Sequence, residues 1–156
     1  MRLTRAGEYA VRCVLYLSLS GKGVLAKRKN IARTMEIPGQ FLGKISQQLS
    51  RAGIIEIVQG AGGGYRLVIP PEKLTLLEVV EAVIGEIVLN DCVANPDGCY
   101  RSPSCTVHLV WEKARDQLRE TLRQARFVDL MAGDTCIEDL MKSAENRLGS
   151  KTRNRH

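Results

Sequence analysis

The most restrictive feature of this chain is the segment Gln59-Gly60-Ala61-Gly62-Gly63-Gly64, set between two β-branched runs. Those runs, Ile54-Ile55-Glu56-Ile57-Val58 and Tyr65-Arg66-Leu67-Val68-Ile69, have the composition of strands. Glycine at this density permits positive backbone dihedrals and lets another surface come close. The pattern predicts two strands joined by a loop, with Pro70-Pro71 closing the unit.

Three helical patterns precede the hairpin. Thr4 is placed to cap a first helix running to about Leu19, in which Tyr9, Ala10, Cys13, Tyr16 and Leu17 recur at helical spacing. Gly21 and Gly23 end it. A second, basic helix is expected from Val24 to Met35, with Lys27, Arg28, Lys29 and Arg33 along it and Leu25, Ile31 and Ala32 inward. Ile37-Pro38-Gly39 is a tight connection, Pro38 suiting an early helical position. The third helix holds Phe41, Leu42, Ile45 and Leu49 at helical spacing, exposes Gln40, Lys44, Gln47 and Gln48, and stops at Gly53. Two helices around a short turn, then strand–loop–strand, outline a winged helix-turn-helix. The expected fold class is mainly α with a small β wing.

Charge points the same way. Residues 1–70 carry 11 Lys/Arg against 3 Asp/Glu, a net of +8, while the remainder carries 12 against 14, a net of −2. A basic half beside a near-neutral one suits a polyanionic partner. Aromatic residues are only 4%, which disfavours gripping single strands by base stacking. No apolar run reaches the length of a membrane span. The stretch Tyr9–Leu19 is broken by Arg12 and lacks a cleavage site, so it reads as a core helix rather than an export signal. The five cysteines are therefore expected in the reducing cytoplasm.

After residue 71 the organisation changes. Thr75-Leu76-Leu77-Glu78 is a capping box opening a helix to about Ile84. Asn90–Ser104 is irregular, and Ser102-Pro103 reads as the cap and first turn of a long helix. In that helix Val107, Trp111, Ala114, Leu118, Thr121 and Ala125 form a narrow seam with Leu122 beside it. The seam is expected to pair with its copy in a homodimer; the plainer alternative is packing within one chain. Thr135-Cys136-Ile137-Glu138 opens a possible short helix, and a basic, mobile tail is expected from Lys142. The divisions are thus 1–71, a winged helix; 72–106, connecting helix and cysteine loop; 107–141, dimerisation helix and short helix; and 142–156, the tail.

Cys92, Cys99 and Cys105 are separated by six and then five residues, and His108 follows Cys105 by three. Three thiols in one irregular loop, with an imidazole one helical turn on, is a metal-ligand arrangement. Structural zinc favours closer cysteine pairs, whereas the wider spacing suits an iron–sulfur cluster, in which histidine can replace cysteine. Three free thiols remain the bland alternative. Cys13 and Cys136 lie in helical patterns and read as small buried hydrophobes. No C-x-x-C pair, Ser/His/Asp arrangement, P-loop or paired-acid signature is present, so an enzyme such as a thiol oxidoreductase is not expected.

Over about residues 1–130 the chain resembles the Rrf2 family of bacterial winged-helix transcriptional regulators, the group of IscR, NsrR and RirA. The resemblance rests on Met1-Arg2-Leu3-Thr4 with Tyr9-Ala10, the wing Gly60-Ala61-Gly62-Gly63-Gly64-Tyr65, and the cysteine loop ending Cys105-Thr106-Val107-His108. It implies a homodimer on palindromic promoter DNA. It also implies an iron–sulfur cluster whose presence or redox state changes DNA affinity, so that redox, nitric oxide or iron status is sensed. Cys92, Cys99 and Cys105 would be the thiolate ligands, although the first gap is one residue longer than in the nearest members. His108 matches the fourth ligand of the IscR branch, and Glu8 stands where others use a carboxylate from the partner subunit. His108 is preferred because sequence ties it to Cys105, and of the two cluster types the resemblance implies, 2Fe–2S is expected in preference to 4Fe–4S.

On DNA, the third helix would enter the major groove with Gln40, Lys44, Gln47 and Gln48 at base edges. Lys27, Arg28, Arg33 and Arg51 would hold phosphates. The wing residues Gln59, Gly60, Gly62, Gly63 and Tyr65 would follow the minor groove. Gln59 replaces the arginine that family members often carry, which weakens minor-groove insertion. Gly43 replaces a larger polar residue of the reading helix. Val107, Trp111, Ala114, Leu118, Leu122 and Ala125 would form the dimer seam. The alternative function is a cluster-free or zinc-binding winged-helix regulator answering to a small ligand or partner protein.

Overall fold

A computed structural model describes residues 4–133. Their order is α1 (Arg5–Ser20), α2 (Arg28–Thr34), α3 (Gly39–Arg51), β1 (Ile55–Val58), β2 (Gly64–Leu67), α4 (Leu76–Ile84), α5 (Asp91–Ala94), α6 (Thr106–Gln124) and α7 (Phe127–Gly133). Two 3₁₀ turns, Pro96–Gly98 and Ser102–Ser104, lie between α5 and α6. The helix expected at Thr135–Glu138, Cys136 and the tail from Lys142 fall outside the described residues, as do Met1, Arg2 and Leu3.

α1 is the hub. Thr4 caps it as expected, its Oγ1 accepting the Gly7 N–H at 3.2 Å. The Gly21 N–H closes the other end on the Leu17 and Ser18 carbonyls. Ala10, Cys13, Val14 and Leu17 recur at helical spacing and are wholly buried. They share one core with Leu42, Ile45 and Leu49 of α3, Val79 and Val83 of α4, Leu67 of β2 and Phe127 of α7.

The second helix differs from its sequence pattern. It begins at Arg28, not Val24. Ala26 instead pairs with Tyr65, N–H to carbonyl in both directions at 2.8 and 2.9 Å, which places a third extended segment beside the hairpin. Leu25, expected inward, is therefore exposed. Gly64 makes the approach possible, since a Cβ there would stand 2.1 Å from the Ala26 carbonyl oxygen. The same pairing buries Tyr65 to 4% exposure, so the wing residue expected along DNA is a core residue. The hairpin is antiparallel, with Ile55 opposite Leu67 and Val58 opposite Gly64. Glu56 and Arg66 pair across it at 2.7 Å.

The capping box forms as the sequence predicts: Thr75 Oγ1 accepts the Glu78 N–H, and Glu78 Oε2 accepts the Thr75 N–H at 2.8 Å. Ser102-Pro103 belongs to a 3₁₀ turn, and α6 starts later, at Thr106. The C-terminal half of its stripe is used within the chain. Leu118 and Leu122 pack on Leu77, Val80 and Ile87, and Arg119 forks onto Glu81 at 2.9 and 3.0 Å while reaching Glu86 at 3.1 Å. Ala125, the last residue of the expected seam, lies beyond the helix, and its carbonyl accepts the Leu76 N–H at 2.8 Å. The Phe127 N–H then bonds the Leu74 carbonyl at 3.0 Å, fixing Phe127 in the core. Among the described residues no helix is long and apolar enough to cross a membrane.

Candidate nucleic-acid interface and cysteine loop

α3 buries Leu42, Ile45, Ser46 and Leu49, and the helical period turns Gln40, Lys44, Gln47 and Arg51 to the outside. Gln48 departs from this set. It is half-buried, and its Nε2 donates to the Val83 carbonyl at 3.0 Å, tying α3 to the end of α4. Phe41 is exposed and meets Tyr9 edge-on, ring centroids 5.6 Å apart. Lys27 and Arg33 are exposed near the two ends of α2. Among the described residues neither they nor Lys44 and Arg51 form an ion pair, which leaves their charge available to phosphates.

Between α3 and the wing runs a groove of about 410 Å³ bordered by Arg28, Gly43, Gln47, Gln59, Gly60 and Gly63. The structure thus brings together six positions from α2, α3 and the wing loop that the sequence marks separately. Arg28 does not project freely into solvent. Its Nη2 donates to the Gly39 carbonyl and lies 2.9 Å from where a Cβ of residue 43 would stand. The glycine inside a helical pattern was the sequence signal for that contact, but its occupant came from another helix.

The second cluster of interest follows α4 in the chain. Cys92 sits on α5, Cys99 follows the first 3₁₀ turn, and Cys105 caps α6; all are free thiols and half-buried. The Arg101 backbone N–H holds the Cys99 thiol below its ordinary range. The Ser102 hydroxyl adds to this without reaching the geometry of a formed hydrogen bond. Cys13 is the opposite case: burial in the core pushes its thiol up to about 12. His108 is buried, with Nε2 3.4 Å from Glu112 Oε1 and Nδ1 without a partner among the described residues. Glu8, the other fourth-ligand candidate, pairs with Arg12 at 2.8 Å.

Among the described residues, no three Cys, His, Asp or Glu side chains gather closely enough to hold a metal ion. The donor chemistry nevertheless fits a thiolate-and-imidazole site: three accessible thiols on one short loop and a buried imidazole nitrogen with nothing bonded to it. Binding a metal group there requires the loop to draw its thiols together.

A small antiparallel wing behind two helices, with unpaired basic side chains along the second, defines a winged helix-turn-helix DNA-binding protein. The model of the Rrf2 family, described as "Iron-dependent Transcriptional regulator", matches residues 3–133. The chain belongs to the Rrf2 family of transcriptional regulators. It is 35% identical over 142 residues to protein aau3 of Rhizobium meliloti (strain 1021), covering 90% of this chain and 92% of that one. It is 31% identical over 146 residues to the HTH-type transcriptional regulator NsrR of Bacillus subtilis (strain 168), covering 93% and 100%. The fold is that of T. potens IscR (TM-score 0.68, 20% identity, covering 85% of this chain and 87% of that one). It is equally that of CymR, the global cysteine regulator of B. subtilis (TM-score 0.68, 21% identity, covering 85% and 97%).

Proposed function

We propose that this regulator holds an iron–sulfur cluster of the 2Fe–2S type on Cys92, Cys99, Cys105 and His108. In this reading the cluster's state governs the binding of a homodimer to palindromic promoter DNA in the cytoplasm. The observation that carries the reading is the coincidence of three free thiols, spread from α5 to the start of α6, with a buried imidazole in the first turn of α6 whose Nδ1 has no partner among the described residues. When bound, such a group supplies a centre that iron supply, oxidants or nitric oxide can alter. The chain's own residues do the rest. Lys27, Arg33, Lys44 and Arg51 attract the phosphate backbone, Gln40 and Gln47 face the bases, and Gln59 with Gly60 follows the strand at the wing. The open N-terminal half of α6, with Val107, Leu109, Val110 and Trp111 exposed, is the surface we assign to the second subunit.

A zinc-binding or cluster-free regulator is the second reading, favoured by the separation of the thiols in the structure. Purification without oxygen, followed by iron and sulfide quantification and a visible spectrum, separates the two. A cluster gives a red-brown solution, and Cys92→Ala removes both colour and iron while the far-UV spectrum stays unchanged. His108→Ala against Glu8→Ala then identifies the fourth ligand. A colourless protein after supply of iron and sulfide, or unchanged iron in the Cys92 variant, rejects the cluster. Zinc in its place is found by metal analysis.

A further inference from the structure

We propose that Arg28 is a base-reading residue: it supplies from α2 the side chain that α3 lacks at Gly43, and it recognises the O6/N7 edge of a guanine in the major groove. The inference rests on the DNA-binding reading above and names one of its specificity-determining contacts.

Gln40, Gly43 and Gln47 are spaced three and four apart and so share one face of α3. The outer two carry exposed amides, whereas the middle position has no side chain. That gap is filled by a guanidinium. Arg28 Nη2 lies 2.9 Å, and its Cζ 3.5 Å, from the place of a Cβ at residue 43. The same Nη2 donates to the carbonyl of Gly39 in the first turn of α3. Arg28 therefore rides on the reading helix although its backbone belongs to α2. One N–H is spent on Gly39, and the others remain beside the groove shared with Gln47, Gln59 and Gly60.

Stability does not account for this placement. A cation beside the N-terminal turn of α3 opposes the helix dipole. Glycine within the helix lowers its propensity. Among the described residues no carboxylate pairs with Arg28. Phosphate contact asks for none of this, because the exposed Lys27, Arg33 and Arg51 already offer mobile positive charge. A planar fork pinned in the row of reading side chains is what bidentate recognition of guanine needs.

The test is selection from a pool of random double-stranded DNA by the full chain and by Arg28→Ala, Arg28→Lys and Gly43→Ala. The wild type is expected to enrich a site with a guanine that both Arg28 variants cease to require. Discrimination at that position falls about 5–150-fold, and the rest of the site is retained. In Gly43→Ala the new methyl meets only the tip of a flexible side chain, so the fold holds and the melting temperature does not drop. The guanidinium is nevertheless displaced, and the same position relaxes. If Arg28→Ala weakens every sequence equally and lowers the salt slope by about one, Arg28 is a phosphate contact and the proposal fails. It fails equally if Gly43→Ala selects the wild-type site unchanged. Should the wild type enrich no sequence at all, the DNA-binding reading falls, and this inference with it.

Discussion

Gly63 and Gly64 are adjacent in the wing and are required by different neighbours. A Cβ on Gly63 would lie 2.1 Å from the Val58 carbonyl oxygen, and one on Gly64 2.1 Å from that of Ala26. Both obstacles are backbone, which cannot rotate aside, whereas a Cβ on Gly62 meets nothing within 4 Å. Gly64→Ala is therefore expected to cost about 1–3 kcal/mol, as overpacking does, and Gly62→Ala to stay within about 0.5 kcal/mol. Equal urea midpoints for the two would refute the assignment of Gly64 to the Ala26 contact. Cys13 makes a prediction about pH. Burial pushes its thiol up to about 12 in the folded chain, above the ordinary thiol range, so at alkaline pH the native state keeps a proton that the unfolded state releases. Stability from this group is complete below pH 9 and is lost as pH rises toward 12, by at most about 1.4 kcal/mol per pH unit. Urea titrations between pH 8 and 10 should show a shallower alkaline decline in Cys13→Ala; an identical slope counts against it.

At the scale of elements, the two halves of α6 differ along one stripe. Its second half seats Leu118 and Leu122 on α4, while its first half leaves Val107, Leu109 and Val110 more than half exposed. Leu118→Ala should cost about 1–3 kcal/mol, below the range for a fully buried leucine, at every protein concentration. On the proposed homodimer, Val110→Asp should leave the denaturation midpoint of the isolated chain in place and shift sedimentation from dimer to monomer. The reverse pattern would hand the exposed half a structural role and the packed half the interface. This division also marks where sequence reasoning stops. The caps at Thr4 and Thr75 were legible because their partners lie three residues away. The apolar periodicity of α1 and α3 was legible because burial repeats with the helix. The start of α2 was not, since it depends on Ala26 meeting Tyr65 across the fold. The split of α6 was not either, because a stripe looks alike whichever surface covers it. Within the candidate site, the thiols and basic side chains could be read from residue type and spacing. Arg28 filling Gly43, Gln48 reaching Val83 and the burial of Tyr65 are long-range events with no local pattern.

For the whole molecule, the question is how a change at the cysteine loop would reach α3 if the proposed cluster forms: α5 packs on α6, and α4 packs on both α6 and α3. On one side Glu81 takes the Arg119 fork and also accepts the Ile87 N–H at 3.0 Å, fixing α6 and the chain leading toward the loop. With its amide oxygen turned to Trp111, Asn90 accepts the indole N–H at 3.0 Å and secures the loop's entrance to α6. On the other side, the Val83 carbonyl near the end of α4 holds Gln48 of α3. On the proposed function, a shift of α6 against α4 would reach α3 through Gln48, whose amide is bonded to the Val83 carbonyl. Allosteric coupling of this kind amounts to about 1–3 kcal/mol, or 5–150-fold in affinity, and a residue on its route carries about 0.5–2 kcal/mol of it. Gln48→Ala is therefore expected to fold, to bind iron and sulfide as the wild type does, and to retain DNA binding. Its affinity ratio between protein supplied with iron and sulfide and protein stripped of them should move toward one. Promoter-fragment titrations of both forms measure that ratio directly. If the variant keeps the full ratio and instead relaxes the preferred sequence, Gln48 reads a base and the coupling runs elsewhere.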